Sequence, residues 1–243
     1  MYADPDGNWV EVKTTKYYSD SKGNLIQKTS FRDLFRKTTY IEKEIIIHDA
    51  KVYFADPVFQ EGGDDFKQQW ISTFQRYIKQ GTSGSGSVIK YEDVTDQVTG
   101  AVKTLETPVK GACVTVRFAD PIKEVSQASE IKRTDNLYVI APVGEGDLEY
   151  MGKALKGSDA QGESPLGSNA ILLQTTSAHR QASHEQFHGL GLDHEDMPMD
   201  NQQSDEYRTN RKIGNRSDDR EKVNEMKGRL LNFERIKNKT EKK

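Results

Sequence analysis

The chain has 243 residues, 35 Lys and Arg against 38 Asp and Glu, and a formal net charge of −3. That length fits one large domain or one domain with a smaller appendage. The even charge balance argues against a nucleic-acid binder, the single cysteine excludes a disulfide framework within one chain, and no apolar run approaches the roughly 18 residues of a membrane span.

Neither nucleic acid nor membrane is therefore expected as a partner. Charged residues make up 30% and hydrophobic ones 34%, yet nine Phe, ten Tyr and two Trp remain to build a core. A modest core with long solvated loops is expected.

Residues 1–9 contain Asp4-Pro5-Asp6-Gly7, which is turn chemistry, and lack the charged-then-apolar form of a signal peptide. Over 10–40, two β-prone runs, Val10–Tyr18 and Leu25–Thr29, flank Gly23-Asn24 and predict a hairpin. Phe31–Phe35 reads as a short helix, and the whole segment as an N-terminal β appendage without chemistry. Glu44–Phe54 is a β-branched run that predicts a buried strand, with His48 a structural histidine near its end.

A helix is predicted over 64–80, capped by Asp64 or Asp65 and ended by Gly81. Phe66, Trp70, Phe74 and Ile78 fall on one face of it, with Tyr77 alongside, as a core stripe. Residues 81–87 read as a flexible loop with nothing placed to cradle a phosphate. Strands follow at Val88–Tyr91, Cys113–Phe118 and Asn136–Ala141, with Cys113 read as a small core residue. Residues 142–169 form a long loop, ending in a strand over 170–176. After residue 199 the chain is polar until Ser217 or Asp218 caps a last helix. That helix carries Val223, Met226, Leu230 and Phe233 on one face, and a basic, solvated tail follows.

Between the 170–176 strand and that polar stretch lies His184-Glu185-Gln186-Phe187-His188-Gly189-Leu190-Gly191-Leu192-Asp193-His194, which holds three of the five histidines. On a helix, positions i and i+4 share a face, so His184 and His188 reach toward a single ion. Glu185 lies beside His184 and reaches a water on that ion without ligating it. Zn²⁺ held by three protein ligands with one position open lowers the pKa of its water to about 7. Glu185 then serves as the catalytic general base, and the proton passes on to the leaving amine. Gly191 permits the left-handed stop that turns the chain back, and three residues more bring His194 toward the metal. A purely structural zinc site needs no such base, which disfavours a non-catalytic binding module.

This stretch matches His-Glu-x-x-His-x-x-Gly-x-x-His and resembles the active-site helix and turn of the metzincin zinc metalloproteases at every defining position. With the surrounding strands and helices the resemblance spans roughly residues 42–237. It implies an α+β, metzincin-like zincin fold over 41–243. That fold has a twisted, mostly parallel sheet with an antiparallel edge strand, an active-site helix and a C-terminal helix. In this family the strand before the active-site helix is commonly the sheet's edge and takes substrate backbone by strand addition. The resemblance further implies His184, His188 and His194 as zinc ligands and a methionine turn beneath the metal. Met199 is the preferred methionine and Met197 the other, although both lie closer to His194 than is usual in the family. Some relatives stabilise the oxyanion with a later tyrosine, for which Tyr207 is the candidate; Asp193 competes with His194 as an oxygen ligand.

Residues 1–9 in turn resemble the end of the core region of Rhs/YD-repeat proteins, where an aspartate-proline-x-glycine motif precedes a variable C-terminal toxin. That resemblance implies a secreted toxin or effector, delivered into a target cell as part of a larger protein. Its partners would be a protein or peptide substrate and a cognate immunity or inhibitor protein. The alternatives are a metalloprotease unrelated to Rhs delivery and a zinc-stabilised binding module without hydrolysis.

Overall fold

A computed structural model describes residues 10–55, 57–82, 85–131, 135–140, 148–150, 153–155, 162–163, 170–173, 179–192, 224, 226–231 and 233. They form a mixed α+β structure. The chain begins with β1 (Val10–Ser19) and β2 (Leu25–Gln27), then a one-turn helix α1 (Phe31–Leu34). Strands β3 (Tyr40–Ile47) and β4 (Ala50–Phe54) lead into the long helix α2 (Pro57–Thr82). Next come β5 (Ser85–Thr95), β6 (Val102–Phe118), β7 (Lys123–Glu124) and β8 (Asn136–Ile140). Short strands β9 (Leu148–Tyr150), β10 (Lys153–Leu155) and β11 (Gly162–Glu163) precede β12 (Ala170–Leu173) and the helix α3 (His179–Gly189).

Two five-stranded sheets, ordered β2-β1-β3-β6-β5 and β11-β12-β8-β4-β7, meet where β3 becomes β4. The predicted single strand over 44–54 is thus two. They are separated at Asp49, whose φ of 50° lies in the left-handed region that Asp tolerates better than most residues. Beside this break, His48 Nε2 sits 3.2 Å from Glu11 Oε2, and that hydrogen bond holds the Glu11 carboxyl below the usual range. On one side β6 and then β7 run parallel to β3 and β4; on the other, antiparallel β1 gives way to parallel β8. The segment read as an appendage is therefore not separate. β1 pairs with β3 from Val10 to Tyr17, and Val10 is buried in the common core.

β12, β8, β4 and β7 are mutually parallel, and β11 pairs antiparallel to β12. The sequence reading placed the strand at 170–176 on the sheet's edge. Instead β12 lies between β8 and β11, which covers Leu172 and Leu173. The same β11, with the antiparallel pair β9 and β10, occupies part of what read as one long loop over 142–169. Strands of two or three residues are too short to impose a period on the sequence.

Helix α2 lays its apolar face on the sheets. Trp70, Ile71, Phe74 and Ile78 are buried against Ile45, Val52, Val114 and Val116. The rings form a connected cluster: Phe54 stacks on Phe59 at 4.2 Å between centroids and meets Trp70 edge-on at 5.7 Å, Trp70 stacks on Phe74 at 5.6 Å, and Phe74 tilts against Phe118 at 5.6 Å. Phe66, predicted to belong to this stripe, is 37% exposed, and Ile71 takes a buried place instead. The helix also starts earlier than predicted. It breaks at Gly63, whose φ of 70° interrupts the turn before Asp64. Cys113 is a second departure. It is half-buried beside Thr115, because strand alternation gives the α2-facing side to Val114 and Val116.

β5 and β6 extend well beyond the predicted strands as one long hairpin, closed at Asp96, whose carboxylate accepts from the amides of Val98 and Thr99. β6 bends at Gly111, where φ is 69° and an added Cβ would fall 2.9 Å from the Thr39 carbonyl oxygen. Past that bend β5 ends, and Thr82 takes over β6's free side. Its hydroxyl donates to the Ile78 carbonyl at 3.0 Å and accepts from the Val116 amide at 2.9 Å. Thr82 is fully buried. Thr82→Val preserves shape but strands the Val116 N–H, so a loss of about 1–3 kcal/mol in urea-unfolding free energy is expected.

At the C-terminus, residues 226–231 are helical, with Met226 and Leu230 in the core and Phe233 packed partly against it. Val223 lies outside the described residues. Buried Lys43 on β3 donates from Nζ to the Leu231 carbonyl at 2.7 Å, a charge-assisted bond at the end of that helical segment. Among the described residues no helix is long and apolar enough to cross a membrane.

Candidate metal centre

Helix α3 follows the carboxyl end of β12 and packs on both β12 and α2. Ala182 and Phe187 point into the core, with Leu190 and Leu192 just beyond the helix end. That anchorage fixes the rotation of the helix and leaves His184 and His188 on one face, one turn apart. Their rings stand nearly perpendicular, 88° between planes and 4.6 Å between centroids. The two Nε2 atoms are 3.1 Å apart.

The end of α3 explains how His188 is held. The Leu192 amide donates to the Phe187 carbonyl at 3.1 Å and the Gly191 amide to the His188 carbonyl at 2.8 Å. This pair of bonds is a Schellman motif, and its left-handed residue is Gly191, at φ 85°. A Cβ added to Gly191 would meet nothing within 4 Å, so glycine is needed there for its backbone conformation and not for space. The usual apolar contact of such a motif is supplied by Phe187 and Leu192, both buried in the core.

The same turn brings the Leu192 carbonyl within 2.7 Å of His188 Nδ1. A carbonyl only accepts, so Nδ1 carries the proton, and in the neutral ring Nε2 is left with a lone pair aimed toward His184. This is the usual support of a metal-binding imidazole. Tetrahedral zinc with Zn–N bonds of 2.0–2.1 Å holds two nitrogens roughly 3.3 Å apart, close to the separation seen here. The histidine pair therefore fits a zinc ion through Nε2 of each ring.

Glu185 is 3% exposed, Gln186 fully buried and His188 7% exposed. A carboxylate at that depth needs hydrogen-bonding or charged neighbours to stay ionised. The other predicted site residues, His194, Met197, Met199 and Tyr207, lie outside the described residues, as does Asp193. Among the described residues no group of three metal-ligating side chains occurs. Among the described residues, the Leu192 carbonyl is a contributor that sequence reasoning overlooked. An apolar residue directly after a helix-stopping glycine was its available signal.

Comparison with protein-family models, curated proteins and solved structures finds no match.

Proposed function

We propose that the protein is a zinc-dependent endopeptidase, with His184, His188 and His194 as metal ligands and Glu185 as general base. The observation that carries the reading is the histidine pair, two Nε2 atoms 3.1 Å apart with one ring oriented from behind by a main-chain carbonyl. Zinc, when bound, supplies the polarisation of the scissile carbonyl and brings water to a pKa of about 7. Glu185 holds the proton taken from water at its carboxylate and returns it to the departing amine. Leu192 keeps His188 in the tautomer that presents Nε2. A metzincin-like arrangement of the whole catalytic domain belongs to this proposal, as does delivery as an Rhs-associated toxin. The delivery half is supported by Asp4-Pro5-Asp6-Gly7 alone, and a gene without a YD-repeat region upstream of Met1 would remove it.

The test is zinc analysis coupled to cleavage of casein and a peptide library. Zinc is expected to co-purify with the chain, and cleavage to stop on chelation and return on zinc addition. Cleavage that survives complete zinc removal, or cleavage of nucleic acid but not casein, sinks the reading.

Gly191→Ala tests the support of His188. Left-handed backbone costs a residue with a Cβ about 1–2 kcal/mol, which thermal unfolding of the zinc-free chain reads directly. Displacing the Leu192 carbonyl from Nδ1 is expected to weaken zinc binding roughly 10-fold or more, measured by competition with a chromophoric chelator.

A further inference from the structure

Helix α1 is built inside out. Phe31, Leu34 and Phe35 fall at i, i+3 and i+4 and are 75%, 64% and 78% exposed. What holds the connector in place is polar. Ser30 and Asp33 form a capping box, the Arg36 guanidinium lies 4.5 Å above the ring of buried Tyr18, and Arg36 pairs with Asp33 at 3.5 Å. Lys28 Nζ donates to the Arg36 carbonyl and, at 2.6 Å, to Thr38 Oγ1. The connector is thus tied down at both ends with its apolar face outward, and the Phe31 and Phe35 rings meet edge to face at 5.1 Å. Leu25 and Ile26 on the neighbouring strand β2 are also exposed, at 52% and 39%.

The segment that carries this face differs in charge from the chain as a whole. Residues 20–37 carry five Lys or Arg against two Asp, a net +3, whereas the whole chain is −3. Exposed aromatic and aliphatic side chains set among cations are the chemistry of an interfacial anchor on anionic lipid. A single helical turn offers no ridge long enough for a partner helix, whose anchors need i, i+3, i+4 and i+7. We propose that the α1 face docks on an anionic membrane surface. Phe31 and Phe35 enter the boundary between headgroups and acyl chains, and Arg32 and Lys37 meet the lipid phosphates. The attachment is peripheral, so it needs no spanning segment.

The full chain would be sedimented with vesicles of phosphatidylcholine alone and of phosphatidylcholine with about one-third phosphatidylglycerol. Partition into the anionic vesicles is expected to be at least about tenfold stronger and to weaken as salt is raised. Phe31→Ser with Phe35→Ser is expected to reduce it roughly tenfold with the circular dichroism spectrum unchanged, since both side chains are solvent-exposed. Arg32→Glu with Lys37→Glu is expected to abolish the preference for anionic lipid. Equal partition into both vesicle types overturns the proposal, as does a Phe31→Ser/Phe35→Ser variant that binds like the parent. A parent dimer in sedimentation velocity that the Phe variant lacks, without vesicle binding, assigns the face to a second copy of the chain and also overturns it.

Discussion

Glu185→Gln is expected to lower kcat for peptide cleavage by roughly 10²–10⁴-fold, the usual contribution of a positioned general base, with zinc content unchanged. Glutamine keeps the volume and most of the hydrogen-bonding capacity of the side chain but cannot accept a proton. His184 and His188 share one face of the helix and Glu185 is proposed to reach only the water, so the pair and its support from Leu192 are expected to stay in place. Steady-state kinetics, zinc stoichiometry and a thermal melt on the same preparation separate these effects. A variant that cleaves as fast as the parent shows that Glu185 moves no proton, whereas one that loses zinc makes it part of the metal's support.

The second large effect lies in the aromatic packing of α2. Phe74 is fully buried and joins two parts of the core. It stacks on Trp70 at 5.6 Å on its own helix and meets Phe118 of β6 at 5.6 Å. Phe74→Ala removes the ring that links Trp70 to Phe118. A loss of about 3–5 kcal/mol is expected in urea unfolding, from lost burial and the cavity left behind. Against a typical total of about 5–15 kcal/mol, such a loss leaves a marginal protein. Helix α3 packs on α2, so activity of this variant is expected to fall at a lower temperature than in the parent. A loss below about 0.5 kcal/mol, the range of surface substitutions, would mean that the ring cluster contributes little.

What could be read from the sequence follows physical lines. The spacing of His184 and His188 requires only a helix, and Gly191 requires only that the helix stop, so local rules suffice for both. The stripe Trp70, Phe74 and Ile78 announced α2 because a long helix repeats its period several times. Phe66 lies in the first turn after the break at Gly63, 37% exposed with its ring against Phe59. The β5–β6 hairpin was under-read because its β6 strand contains Pro108 and Gly111, residues that ordinarily end strands. The place of β12 inside its sheet, not at the edge, depends on β11, whose two residues have no signature of their own. Nothing local in His188 or Leu192 states that a ring nitrogen and a carbonyl will meet; that follows only from the geometry of the stop at Gly191.

The junction of the two sheets at β3 and β4 governs how the protein reaches this structure. Ile41 pairs with Ala112 and Ala50 with Asn136, and β8 in turn pairs Leu137 with Ala170. Every parallel neighbour of the central run thus arrives from far along the chain. Loop closure must precede the contacts that reward it, so such a topology folds slowly compared with helical proteins of similar size. During synthesis, β3 has only β1 to pair with until residues 112–118 emerge, and β4 waits longer for β8. The helix bearing His184 and His188 comes after all of these strands. Because α3 packs on β12 and α2, the face that carries His184 and His188 depends on those long-range pairings being in place.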